Sequence, residues 1–352
     1  MKRLCMAIVL LALAATTRPQ SGNIRVGVNL VVLNAAVTDP KGDWVSGLQK
    51  ENFEILEDGI PQEIAYFDSG AEPYNLALAL DTSASVRPEL KILTETASRF
   101  VRDLRPIDRV TLITFGDFVR RLTEYSADRD EIAGQLNRLP IGGQTALYDA
   151  IYLMLADTQA RRSGRNALVI LTDGIDIQSV SSVSEVAGMA RLSNCALYVL
   201  CLEATSQSKE YRTSFKFLKD FSSRAFWRDY YRYIDSLEKP VSSEVQPHWK
   251  AEVDKAMKTH PISAMLQKRR NALRELTELS GGAFITLASL KDASGAYAKI
   301  AMELKSSYGL GYYAGGRSDG PELRNIEVRI RNVPCPKCTV RSRRTIRFQP
   351  NP

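Results

Sequence analysis

Apolar positions along this chain fall into three regimes. Between residues 24 and 70 they form β-branched runs, IRVGVNLVVLNAAVTD and FEILEDGIPQEIAYF, separated by the turn-like PKGDW. No helical period persists there, and Asp58-Gly59 marks a hairpin turn. From residue 74 the pattern alternates. YNLALAL, DRVTLITF, NALVILTD and CALYVLCLE are continuous apolar runs, the form a strand takes when both faces are buried. Between them RPELKILTETASRFVRDL sets Leu90, Leu93, Ala97, Phe100, Val101 and Leu104 at helical spacing. DRDEIAGQLNRL, TALYDAIYLMLADTQA, VSSVSEVAGMARL, KRRNALRELTELS and LKDASGAYAKIAMELKSS also read as helices, and FVRRLTEY as a short, antiparallel strand. After residue 307 the β pattern returns in YGLGYYA, LRNIEVRIRNV and TVRSRRTIRF.

Strands alternating with helices predict βαβ units with right-handed crossovers. The expected fold class is therefore α/β: a doubly wound, mainly parallel sheet with flanking β segments, a small β-sandwich made from them, and a helical insert. The expected organisation is an export signal over 1–20, an N-terminal β segment over 24–70, an α/β domain over 74–306, and a C-terminal β segment over 307–350 packed with the first. The insert spans 205–266, where no strand pattern is seen and Trp227, Tyr230, Tyr231 and Ile234 share a helical face. That stripe packs the insert onto the sheet domain, or else serves a partner groove or membrane surface. The insert follows a late strand, on the sheet edge where strands end.

The N-terminus reads MKR, then LCMAIVLLALA, with Ala12-Leu13-Ala14 as a cleavage site. The apolar core is shorter than the ~20 residues a membrane span needs. The expected mature chain has no transmembrane segment and is exported, to the periplasm or beyond the cell.

Composition changes this picture little. The 352 residues are 44% hydrophobic and 25% charged, an ordinary globular mix, with a net charge of +7. Arg324, Arg329, Arg331, Arg341, Arg343, Arg344 and Arg347 concentrate basic character near the C-terminus. Such a tail can meet nucleic acid or an anionic envelope surface, but these arginines alternate with other residues, so a solvated strand face is expected and no nucleic-acid partner. Cys335 and Cys338 form a lone CxxC without a second ligand pair, which favours a disulfide across a tight turn over zinc. Cys195 and Cys201 flank an apolar run and read as two buried thiols.

The candidate chemistry lies in five oxygen-bearing residues. Asp81, Ser83 and Ser85 stand in LALALDTSASV, Thr145 in GGQTALYDA, and Asp173 in LVILTDGID. An α/β sheet gathers such groups at the carboxyl ends of its strands, where ligands bind. All five offer hard oxygen, which suits Mg2+, Mn2+ or Ca2+ rather than zinc. The chain has two histidines, His248 and His260, both in the insert, and no GxSxG elbow or phosphate loop. No catalytic residue is expected, although a glycosidase carboxylate pair would leave no local mark.

The D-x-S-x-S string, followed by Thr145 and the Asp173 of LTDG, resembles the von Willebrand factor A-type domain with its metal-ion-dependent adhesion site. The likeness covers about 74–203 and 268–306. The flanking FEILEDGIPQEI and LGYY are similar to those of A-type-related proteins exported by some bacteria. The resemblance implies that Ser83 and Ser85 bind a divalent cation directly and Thr145 directly or through water. Asp81 and Asp173 act through water or by orienting the hydroxyls. Such an ion keeps an open position for a Glu or Asp of a protein partner. Gly142 and Gly143 give the Thr145 loop freedom to move, and Asp176 is a solvated loop residue. Asp149 is an exposed helical acid, or else helps order the Thr145 helix. The implied function is metal-dependent protein binding in adhesion or assembly. The competing readings are a structural envelope protein with metal-stabilised loops, and a hydrolase. Oligomeric state is not legible.

Overall fold

The computed structural model describes residues 29–83, 86, 89–140, 142, 144–161, 164–176, 178–203, 262–314, 323–333, 335 and 337–347. The expected export signal lies outside them, as does the expected insert up to residue 261.

The first β-branched run folds as β1 (Asn29–Thr38), and the second splits into β2 (Phe53–Glu57), β3 (Ile60–Gln62) and β4 (Ile64–Asp68). Asp58 and Gly59 turn between β2 and β3 with φ of 49° and 80°, the left-handed pair that a two-residue hairpin demands. Pro61 has no N–H to give a ladder, and β3 accordingly lies at a sheet edge. The rest of the expected hairpin, β4, crosses to a different sheet.

The alternating region comprises β5 (Tyr74–Asp81), α1 (Leu90–Asp103), β6 (Arg109–Phe115), β7 (Val119–Arg121), α2 (Arg129–Leu136), α3 (Leu147–Arg161), β8 (Arg165–Thr172), α4 (Val183–Leu192), β9 (Cys195–Leu202), α5 (Ile262–Ser280), β10 (Ala283–Leu287) and α6 (Ala293–Ser306). α5 thus starts within the range read as insert. Among the described residues the central sheet runs β10-β9-β8-β5-β6-β7, parallel except for β7. Along β5, Leu76, Leu78 and Leu80 pack toward α1, α2 and α6, and Ala77 and Ala79 toward α3 and α5. The helical stripe read in the sequence is the buried face of α1: Leu93, Ala97, Phe100 and Val101. Phe100 stacks on Tyr297 of α6 with ring centroids 4.6 Å apart. Asp128 caps α2 by accepting from the N–H groups of Asp130 and Glu131. Where α5 meets β10, a Cβ on Gly282 would stand 1.9 Å from the Leu197 carbonyl oxygen, so only glycine fits.

The order places β5 between β6, reached first, and β8, reached later. The strand order reverses at β5/β8, and the loops leaving these strands part around a crevice. Asp81 and Asp173 stand at its two sides.

The chain's two ends build two further sheets with β11 (Tyr308–Ala314), β12 (Leu323–Ile330), β13 (Thr339–Arg341) and β14 (Thr345–Arg347). Their orders are β13-β1-β11-β4 and β14-β12-β2-β3, and every pairing is antiparallel. Leu33, Ala35 and Tyr312 from one sheet and Ile55, Ile326 and Ile346 from the other share a single core. Neither end could bury this surface alone. A Cys335–Cys338 disulfide closes the turn where the chain passes from β12 to β13, and so from one sheet to the other. Closing so short a loop removes unfolded-state entropy worth about 2 kcal/mol. The Cys335→Ser/Cys338→Ser chain should unfold in correspondingly less urea. An unmoved midpoint would mean strand pairing holds that corner unaided. Cys195 and Cys201 are buried free thiols.

Three C-terminal arginines correct the expectation of a solvated face. Arg324 pairs with Glu57 inside the sandwich, both buried. Arg341 pairs with buried Glu303, which also accepts from the Tyr198 hydroxyl at 2.6 Å. Arg343 is buried against the end of α4, donating to the Ser193 and Arg191 carbonyls at 2.7 and 2.6 Å, and burial pushes its guanidinium down to about 10. A strand arginine looks solvated in sequence until a buried acid or the negative end of a helix meets it.

Candidate functional site at the carboxyl edge of the central sheet

β5 ends in Asp81, which is buried because its strand is central. Asp81 Oδ1 accepts from the Ser83 N–H at 2.9 Å, the local turn that Asp favours two residues on. Asp81 Oδ2 is also buried and makes no hydrogen bond of good geometry with any described residue, although the Ser83 and Thr172 hydroxyls lie close enough to favour its ionised form. Asp173 follows β8 with the same device, its Oδ1 accepting from the Ile175 N–H at 2.9 Å. Burial, and then the facing Asp173 carboxylate, push Asp81 up to about 8. Both acids line one cleft together with Glu89 and the apolar Val86, Leu93 and Leu202. Two acids thus share one cleft, Asp81 buried and Asp173 part-buried.

Thr145 lies in the segment leading into α3, and its side chain is buried, as is that of Ser83. Backbone bonds tie this segment to its neighbours on three sides. The Gly142 N–H donates to the Thr82 carbonyl at 2.9 Å, joining it to the loop after β5. Across the β6–β7 turn, the Ala146 N–H donates to the Gly116 carbonyl at 3.1 Å and the Gln144 N–H to Asp117 Oδ1 at 2.7 Å. On the β8 side the Gln178 N–H donates to the Thr145 carbonyl at 3.1 Å. The fold therefore gathers Asp81, Ser83, Thr145 and Asp173 onto contiguous, mutually bonded loops. Ser85 lies outside the described residues. Of the two glycines expected to free this loop, Gly143 lies outside the described residues. Gly142 is part of the bonded segment. It holds a φ of +151° that other residues rarely adopt, and its N–H is bonded.

One expectation about a nearby acid is overturned, and an open one is decided. Asp176 is not solvated: its Oδ1 accepts from the Leu147 and Tyr148 N–H groups at 2.9 and 3.3 Å and from the Ser179 hydroxyl at 2.5 Å. Burial pushes its carboxyl above the ordinary range against the pull of those bonds. For Asp149 the second reading holds, since it is tied to the loop after β8. It accepts from the Val180 and Ser181 N–H groups at 3.1 and 2.8 Å. Asp117, Asp149 and Asp176 organise the loops. Only Asp149 was legible as a candidate for that role, because the partners are backbone groups about thirty positions away that no motif records.

The donors fit a hard divalent cation. A buried carboxylate oxygen makes no hydrogen bond of good geometry among the described residues, two carboxylates repel each other, and the nearby groups are hydroxyls. Among the described residues no three His, Cys, Asp or Glu side chains converge, so any ion held here needs the hydroxyls as well.

Residues 76–175 match the family model of the von Willebrand factor type A domain. Three solved structures are similar to the chain. An aerotolerance-related membrane protein from Bacteroides fragilis is 17% identical, with 65% of this chain and 98% of that one covered and a TM-score of 0.40. BatB from Bacteroides thetaiotaomicron is 15% identical, with 66% and 100% covered and a TM-score of 0.40. A von Willebrand factor type A protein from Catenulispora acidiphila is 9% identical, with 88% and 72% covered and a TM-score of 0.44. No curated protein matches the sequence. Among the described residues no helix is long and apolar enough to cross a membrane.

Proposed function

We propose that this chain is an exported protein-binding module that captures an acidic side chain of a partner through a divalent cation, Mg2+ or equally Mn2+ or Ca2+. The observation that carries the reading is buried Asp81, with one carboxylate oxygen unpartnered among the described residues and Asp173 facing it across the crevice. In this reading Ser83, Ser85 and Thr145 supply neutral oxygen, while Asp81 and Asp173 orient the shell and balance charge. When bound, the ion supplies a positive centre little offset by its hydroxyl ligands and hence an affinity for a Glu or Asp oxygen. The central sheet and bonded loops keep the donors in place before the partner arrives. Export is supported by the leader-like N-terminus and by the Cys335–Cys338 disulfide, which suits an oxidising compartment. Catalysis is no part of this proposal.

The test is retention on a column. Immobilised chain should hold a partner from envelope extract in Mg2+ and release it in chelator, and the Asp81→Ala column should hold none. Retention that persists in chelator refutes the mechanism. The bonded loops favour one rival, a metal that only stiffens the structure. It predicts a metal-dependent rise in melting temperature with no partner retained.

A further inference from the structure

The segments carrying Thr145 and Asp173 cap each other. Asp176, on the loop after β8, accepts from the first-turn N–H groups of α3 at Leu147 and Tyr148, at 2.9 and 3.3 Å. Helix starts leave such groups without intrahelical partners, and here the carboxylate of a remote loop takes them. The exchange is returned. Asp149, in that same first turn, accepts from Val180 and Ser181 of the loop at 3.1 and 2.8 Å, and its own N–H donates to the Ser179 hydroxyl at 3.1 Å. Ser179 in turn donates to Asp176 at 2.5 Å, and the Thr145 carbonyl accepts from Gln178 at 3.1 Å. Two irregular segments are thereby bonded into one body.

We infer that Asp176 and Asp149 are positioning residues of the metal site, holding the Thr145 hydroxyl and the Asp173 carboxylate in fixed relation through this reciprocal clasp. The inference rests on the proposed cation site. Its physical basis is preorganisation. With the clasp intact, the ion meets the α3 and β8 donors as one preset unit. With the clasp cut, binding must also order two loops, and affinity falls. Loss of partners that orient metal ligands typically weakens binding about 10–100-fold. The clasp acts through hydrogen-bond acceptors, so the side-chain oxygen of an asparagine can replace the carboxylate at Asp176.

The experiment titrates Mg2+ alone into the full chain by calorimetry, and follows amide exchange with and without the ion. Asp176→Ala should bind Mg2+ at least about 10-fold more weakly, with faster exchange at Leu147, Tyr148, Val180 and Ser181. Asp176→Asn should stay close to wild type. Asp149→Ala should repeat the loss from the other side, and serves where Asp176→Ala fails to fold. Wild-type affinity in both alanine variants overturns the clasp and leaves the site standing, as would a fall in stability with affinity unmoved. An asparagine variant as weak as alanine also overturns it. A wild-type chain that binds no Mg2+ overturns the site itself.

Discussion

Magnesium should raise the melting temperature of the wild-type chain and leave that of Asp81→Asn unmoved. At a hundredfold excess over its dissociation constant, a ligand that binds only the folded state stabilises it by about 2.7 kcal/mol. Asp81 is where that response should be lost, because its carboxylate is buried, faces Asp173 and has an oxygen without a partner among the described residues. In chelator the order should reverse. Asparagine keeps an oxygen to accept from the Ser83 N–H and removes the charge that Asp173 opposes. A buried group left unsatisfied costs about 1–3 kcal/mol. The amide N–H2 can donate to the facing Asp173 carboxylate where the Asp81 oxygen could not, so Asp81→Asn should melt above the wild type without metal. Calorimetric scans in chelator and in Mg2+ decide the matter. A variant that still responds to Mg2+, or that is destabilised in chelator, removes Asp81 from the site.

Arg165→Ala should cost about 3–5 kcal/mol, the range for stripping one partner from a buried ion pair. Arg165 opens β8 with its side chain wholly buried. It pairs with Asp68 of β4 at 3.3 Å and donates to the Tyr74 hydroxyl and to the Ser307 carbonyl and hydroxyl at 2.7, 2.8 and 2.7 Å. Its guanidinium lies 4.3 Å from the centre of the Tyr74 ring. One side chain thus joins the amino edge of the central sheet to the sandwich. Alanine leaves the buried Asp68 charge with only the Ala71 and Glu72 N–H groups, at 2.8 and 3.1 Å, to offset it. Arg165→Met with Asp68→Asn should cost less, since no charge is left behind. Lysine should fail to rescue, because a single ammonium cannot reproduce the planar fork. Urea unfolding measures all three, and a wild-type midpoint for Arg165→Ala would end this account of the junction.

Legibility followed the range of the interaction. β5 and α1 could be read directly, because a strand buried on both faces must be apolar throughout and a helix buried on one face must repeat every three or four residues. The D-x-S-x-S string could be read because the loop after β5 keeps its donors two residues apart. The β2–β3 turn could be read because Asp-Gly accepts two left-handed residues. The destination of β4 could not. Its strand pattern is the same whether it pairs with β3 or, as it does, with β11 some 240 positions later. Asp176 read as a solvent-facing acid, and Asp149 as either that or a helix-ordering one, because nothing local distinguishes an acid that meets water from one that meets a distant N–H.

By itself the sequence determined the local conformations and the order of donors along the chain, because hydrophobic period, turn chemistry and short-range spacing are properties of neighbouring residues. Only the tertiary structure decided that Asp81 faces Asp173 across the crevice, that Arg343 is buried against the end of α4, and that the Thr145 and Asp173 segments hold each other. Those outcomes depend on which backbone groups are left unpaired once the sheets and helices have packed, and a buried polar group takes whichever partner the packing brings within reach.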